Sequence, residues 1–362
     1  MIPVTKPYLP NREAYEAYVK DIWQRGWLTN SGPLVNELEA NLSTYLGIPN
    51  VLLLNNGTIA LQIALKALDI KGEVITTPFS YVATTSSIAW EGSKPVFVDI
   101  DPETLNLDPN KIEAAITPNT RAILATHVYG NPCDVEKIDA IAKKHNLKVI
   151  YDAAHAFGTM YKGKSLYAYG DISTASFHAT KLFHTIEGGA VITENAALSA
   201  KMGLLRNFGH TSPYSFDGAG INGKTSEFHA AMGLLVLKDI SQIIAKRKEL
   251  SDRYTDKLAG TVVKRPAIFD KANTTYNYAY YPVLFPSEQI LLQVMKDLEK
   301  HQIYSRRYFY PSLNTINYVD QVPCPVSEDI CTRVLCLPLY FTLTIEEVDL
   351  VTRVIKDTLS RN

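Results

Sequence analysis

No run of about 18 apolar residues occurs anywhere in the 362-residue chain, so nothing in it reads as a membrane-spanning helix. The opening MIPVTKPYLPNREAYEAY also lacks a basic stretch followed by a long apolar one, the form of an export signal. Both absences lead to the expectation of a soluble, cytoplasmic protein without a membrane partner. Cysteine is scarce. Cys133, Cys324, Cys331 and Cys336 show no C-x-x-C spacing and have no nearby histidine pair, which argues against a zinc site and for free thiols in a reducing compartment. An excess of either charge is missing too: 36 Lys plus Arg stand against 37 Asp plus Glu. That balance leaves no electrostatic footprint for nucleic acid or an anionic membrane surface, so any anionic ligand must be held by local groups.

With 46% hydrophobic and 20% charged residues the chain can bury a large core, and its length exceeds one compact unit, so two domains are expected. From about residue 50 to residue 195, short β-rich apolar runs alternate with segments of helical period, which argues for an α/β sheet. VLLL (51–54) runs into NNGT and then IALQIALKAL, which makes Asn55–Thr58 a strand-to-helix turn. EVITTP (73–78), PVFVDI (95–100), RAILATHVYG (121–130) and KVIYDAAH (148–155) are further strand candidates. Between the last two, CDVEKIDAIAKKHN offers Asp134 as an N-cap and Ile138, Ile141 and Ala142 at helical spacing, so those strands should pair in parallel. Ligands of such sheets sit beyond the carboxyl ends of the strands, where the turns Asn55–Thr58 and Asp152–His155 fall. After about residue 225, SEFHAAMGLLVLKDISQIIAKRKELSDRYTDKL reads as one long helix or two in succession leading to a smaller domain. The expected division is residues 1–245, with an N-terminal arm over 1–30, and residues 246–362.

Four elements carry chemistry in combination. Gly57-Thr58 opens a helix, where free N–H groups and the positive end of the helix dipole make an anion site; Thr58 could equally serve as a helix cap. Asp152 ends the apolar run KVIYD, a place where a carboxylate needs a partner, and could equally be a helix N-cap. In SFHATKLFHTIEGG, Ser176 leaves a sheet-like run five residues before Lys181. In GAGINGKTSEFHAAMG, Asn222 and Lys224 lie in a glycine-rich loop just before the long helical segment, with Ser226 or Thr225 as its cap.

Together these elements resemble the DegT/StrS family of pyridoxal-phosphate-dependent nucleotide-sugar aminotransferases, of fold type I. The likeness runs from GWLTNSGP (26–33) to RRYFYPSLN (306–314). It implies a large α/β domain with a mostly parallel sheet flanked by helices, plus a smaller C-terminal α/β domain. It further implies that Gly57, Thr58 and Ser176 bind the cofactor phosphate, that Tyr81 stacks on the pyridine ring, and that Asp152 pairs with the ring nitrogen. His155 matches a position, often glutamine, near the ring hydroxyl. Lys181 matches the Schiff-base lysine, and Asn222 a phosphate contact reaching in from the neighbouring subunit of a homodimer with shared active sites.

The physical chemistry agrees with that assignment. A lysine at its reference pKa is a free amine in roughly one molecule in a few thousand at neutral pH, so a nucleophilic lysine must be desolvated or committed to an imine. A carboxylate beside the pyridine nitrogen keeps that nitrogen protonated and lets the ring accept electrons. IPVTKPYLP, EVITTPFSYVAT, HVYGNPCDVEKI and SFHATKLFHTIEGGA look like the branch of the family that aminates dTDP-4-keto-6-deoxyglucose at C4, with L-glutamate as donor, for surface polysaccharide synthesis. Amination at C3 of a 3-keto isomer is the alternative, and a non-catalytic nucleotide-binding module a third reading. Lys224, Arg306 and Arg307 are candidates for the sugar's diphosphate, and His178 and Tyr310 for the sugar itself.

Overall fold

The computed structural model describes residues 1–361. Helix α1 (Arg12–Arg25) is capped by the Asn11 side chain, and α2 (Pro33–Leu46) begins on a proline, whose missing N–H is no loss in a first turn. Strand β1 (Asn50–Leu54) then runs into α3 (Gly57–Ala67). The cap of α3 is Asn56, whose side chain accepts from the Ile59 N–H; Thr58 lies in the first turn, so the capping role considered for it falls to its neighbour. Strands β2 (Glu73–Thr76), β3 (Lys94–Phe97), β4 (Thr120–Thr126) and β5 (Lys148–Asp152) follow, each within its expected run or one residue outside it. Helices α4 (Val82–Trp90) and α5 (Val135–His145) are interleaved with them, α5 capped by Asp134 and burying Ile138, Ile141 and Ala142.

Strands β6 (Ile172–Ser176) and β7 (Gly189–Thr193), with α6 (Ala196–Leu205) after them, complete a seven-stranded sheet of order β1-β7-β6-β5-β4-β2-β3. Only β7 runs against its neighbours; the other six strands share one direction. Register places Thr126 beside Asp152 and Asp152 beside Thr174, so the carboxyl ends of β4, β5 and β6 finish on one edge. Crossing at that edge is close. A Cβ on Gly57 would stand 2.8 Å from the Ser176 Cβ, and one on Gly189 2.5 Å from the Asn56 carbonyl, so both positions must be glycine for α3 to approach β6 and β7.

The helical segment after residue 225 is two helices, α7 (Glu227–Lys238), capped by Ser226, and α8 (Ile240–Leu258), bent by 60° at their junction. The start of α8 buries Ile240 and Ile243 in the core under the large sheet, whereas Leu250, Tyr254 and Leu258 belong to a second core. That second core is built on the antiparallel pair β8 (Tyr281–Leu284) and β9 (Val334–Leu337), with α9 (Glu288–Lys300) and α11 (Ile345–Leu359) packed in it. Helix α10 (Pro325–Arg333) leads into β9. The arm ahead of α1 touches both cores: Ile2 pairs with Ile303, the Leu339 N–H donates to the Val4 carbonyl, and the Tyr8 hydroxyl donates to Asp239 between α7 and α8. No single helix among the described residues is long and apolar enough to cross a membrane.

One buried charge ties the helical layer together. The fully buried Glu227 carboxylate accepts from the N–H groups of Leu34 and Val35 at the start of α2, and Arg25 at the end of α1 lies 3.3 Å away. Truncation would leave two helix-start donors unmatched and Arg25 with Asp21 as its remaining carboxylate. Glu227→Ala is therefore expected to lower unfolding stability by roughly 3–5 kcal/mol, read as a shift of the chemical denaturation midpoint. A midpoint within error of wild type would refute the role given to this carboxylate.

Candidate active site

The carboxyl edge of the sheet opens into a cleft of about 1120 Å³, counting the part open to solvent. Asp152, the last residue of β5, lies on its floor, 6% exposed. No helix follows it, so the N-cap alternative does not hold. Instead Oδ2 accepts from the Thr84 hydroxyl at 2.7 Å and Oδ1 from the Ala154 N–H at 3.2 Å. Burial raises its pKa, while these two donors and the charge of Lys181 hold it down.

Lys181 stands in the turn after β6, partly accessible from the cleft, with Nζ 3.4 Å from the Tyr280 hydroxyl. Desolvation lowers its pKa to about 8, against the opposing pull of Asp152. A far larger share of this amine is thus neutral near neutral pH than for a surface lysine. His155 is buried, its ring parallel to Phe309 with centroids 5.7 Å apart, and Nδ1 accepts from the Tyr129 N–H. Desolvation first, and the Lys181 charge second, push its pKa well below the ordinary value, so the ring stays neutral and carries its proton on Nε2.

Gly57, Thr58 and Ser176 meet at one end of the cleft, where the unpaired N–H groups of the first turn of α3 emerge. Tyr81, at the N-cap position of α4 and 60% exposed, also lines the cleft, its ring accessible to a flat partner. His178 lines the mouth: its Nδ1 engages the Thr180 hydroxyl and N–H, and its Nε2 stands 3.5 Å from Glu187. Arg306 is also part of this wall.

Four of the expected residues lie elsewhere. Arg307 turns away from the cleft to pair with Glu288 at 2.6 Å and to donate to the Thr332 carbonyl, because its position ends on the second core. Tyr310 lies against the Arg307 guanidinium at 3.7 Å and is not among the cleft-lining residues, whereas Tyr308 is. Lys224 donates to Asn207 and rests on the Phe208 ring, outside the cleft of its own chain. Asn222 is likewise outside, exposed on a loop that presents Phe208, Tyr214, Phe216 and Ile221 to solvent.

Other cleft residues were not singled out from the sequence. Ser80 sits inside the quoted TPFSYVAT stretch, yet a hydroxyl just ahead of a helix carries no signal of its own. Tyr280 arrives a hundred residues after Lys181, and only the fold brings them together. The set meets the demands of pyridoxal phosphate: a helix start and hydroxyls for an anion, a buried carboxylate for a basic ring nitrogen, and a desolvated amine for an aldehyde.

A mostly parallel sheet with one reversed strand, a buried aspartate at a strand end and a lysine in the turn after the next strand are the architecture of a fold type I aminotransferase. The chain belongs to the DegT/DnrJ/EryC1/StrS aminotransferase family, whose model matches residues 11–356. It is 43% identical, over 98% of each chain, to the dTDP-4-amino-4,6-dideoxy-D-glucose transaminase of Escherichia coli. Among solved structures it is similar to DesI, crystallised in the presence of its TDP-sugar product, with 32% identity, a TM-score of 0.93, and 99% of this chain and 93% of that one covered. It is also similar to Spr1654 from Streptococcus pneumoniae in its PLP form, with 27% identity, a TM-score of 0.92, and 99% of each chain covered.

Proposed function

We propose that this protein transfers the amino group of L-glutamate to C4 of dTDP-4-keto-6-deoxy-D-glucose, giving dTDP-4-amino-4,6-dideoxyglucose for a surface polysaccharide. The observation that carries the reading is the Lys181 amine and the Asp152 carboxylate lining one cleft, in a chain 43% identical to a transaminase of that product. Pyridoxal phosphate, when bound, supplies the electron sink that stabilises a carbanion next to nitrogen. Gly57, Thr58 and Ser176 would hold its phosphate, Tyr81 would cover its ring, and His155 would offer Nε2–H to the ring hydroxyl. Asp152 keeps the ring nitrogen protonated. Lys181 would hold the cofactor's aldehyde carbon and, as a free amine, would carry the proton to and from the substrate carbon. One amine is both anchor and base.

Glutamate and ketosugar occupy the cleft in turn, a ping-pong order that needs only one site. Arg306 at the mouth is placed to meet a carboxylate or diphosphate, and His178 to meet the sugar. Asn222 and Lys224 serve the cleft of a second copy in a homodimer, which accounts for the exposure of Asn222 beside the solvent-facing side chains of Phe208, Tyr214 and Phe216. The working division is residues 1–245 around the cofactor and residues 246–362 as the smaller lobe. The enzyme acts in the cytoplasm.

The test is incubation with L-glutamate and dTDP-4-keto-6-deoxy-glucose, or its 3-keto isomer, followed by NMR to locate the new C–N bond. Nitrogen at C4 is expected; nitrogen at C3 would overturn the regiochemistry. A further expectation concerns pH. Because the neutral amine is the reactive form and burial lowers its pKa, capture of added pyridoxal phosphate by the apoenzyme should accelerate as pH rises and level off above about 8. Stopped-flow absorbance measures this, and a rate still climbing through pH 10 would contradict the desolvated state assigned to Lys181.

A further inference from the structure

Behind Asp152 stands a chain of three buried hydroxyls from three different elements. Thr126 ends β4, Ser80 lies in the loop after β2, and Thr84 is in the first turn of α4. Ser80 Oγ is 3.0 Å from Thr126 Oγ1 and 2.7 Å from Thr84 Oγ1, and Thr84 Oγ1 is 2.7 Å from Asp152 Oδ2. All three are at most 3% exposed. An ionised carboxylate only accepts, so Thr84 must donate to it; Thr84 then accepts from Ser80, and Ser80 from Thr126. The three O–H dipoles align in one sense and end on the carboxylate. Thr84 is not among the residues lining the cleft, so it reaches the cofactor site only through Asp152.

We propose that Thr84, oriented by Ser80 and Thr126, is a positioning residue that fixes Asp152 as an ionised acceptor aimed at the cofactor's ring nitrogen. The inference rests on the pyridoxal-phosphate reading and adds to it the group that sets the state of its acid. Burial favours a protonated, neutral Asp152, and the Thr84 hydroxyl is the largest influence opposing it, ahead of the Ala154 N–H and the Lys181 charge. Tyr167 faces the same carboxylate from the segment before β6, its hydroxyl engaged on the Ala153 carbonyl, and His155 is neutral. Neither supplies a charge that could replace the hydroxyl. Hydrogen bonds in a row polarise one another, so the three buried hydroxyls act as a unit.

The test loads the enzyme with pyridoxal phosphate labelled with ¹⁵N in the ring and follows the nitrogen signal against pH. Wild type and Thr84→Ser, which keeps the hydroxyl, are expected to hold the nitrogen protonated through the neutral range. Thr84→Val, nearly isosteric, is expected to release that proton about one pH unit lower, and to bind the cofactor roughly tenfold more weakly in mildly acid buffer. Thr126→Val, which shortens the chain from its far end, should move both readouts the same way by less. A Thr84→Val titration superimposable on wild type overturns the inference, as does a Thr84→Ser enzyme that behaves like valine. A wild-type ring nitrogen found unprotonated removes the Asp152 assignment, and the inference with it.

Discussion

Lys181→Ala is expected to abolish transamination, with turnover falling by at least roughly 10⁴-fold, the upper range for a positioned proton carrier. Alanine keeps the backbone of the turn after β6 and leaves Asp152, His155 and the first turn of α3 in place. Pyridoxal phosphate should therefore still bind, but reversibly, and it should leave on dialysis. The absorbance of the lysine-linked cofactor should be missing, and borohydride, which fixes the link in wild type, should leave no label on the variant. Peptide mapping of the reduced wild type should place the label at position 181. A variant turning over near the wild-type rate, or a label on another lysine, would remove the foundation of the functional assignment.

Asp152→Asn is expected to separate binding from chemistry. The amide occupies nearly the same volume and can still meet the Thr84 hydroxyl and the Ala154 N–H, so the fold and the phosphate contacts remain. It carries no charge to keep the ring nitrogen protonated. Replacing an organised charge at a reacting centre costs roughly 10²–10³-fold in rate, and losses of that order are expected here in both half-reactions. The measurements are the cofactor dissociation constant, expected to rise by at least the roughly tenfold given for Thr84→Val, and single-turnover rates with L-glutamate alone at saturating cofactor. A full-speed Asp152→Asn enzyme would show that the ring nitrogen is served by some other group.

Much of the sheet was legible because its strands are short apolar runs ended by polar residues, a pattern local enough to read without tertiary knowledge. The turns at Asn55–Thr58 and Asp152–His155 were legible for the same reason, and both lie on the cleft. What was not legible depended on separation along the chain. Thr84 acquires meaning only because α4 returns over the end of β5, and Tyr280 only because the segment before β8 passes over Lys181. Arg306 and Arg307 are adjacent and chemically alike, yet one faces the cleft and the other is drawn to Glu288. That choice is made by which side of the backbone meets the second core. Asn56 rather than Thr58 caps α3 because the extended backbone at residue 56 lets its side chain curl back to the Ile59 N–H.

The contact of Ile2 with Ile303 bears on how the molecule is made. The arm leaves the ribosome some three hundred residues ahead of its mate, so throughout synthesis Ile2 and Val4 have nowhere to dock. They can be sewn in only after β8 and the chain beyond it have taken shape. This stretch, made well before its partners, thus settles after them, closing over both cores like a stitch drawn tight at the end.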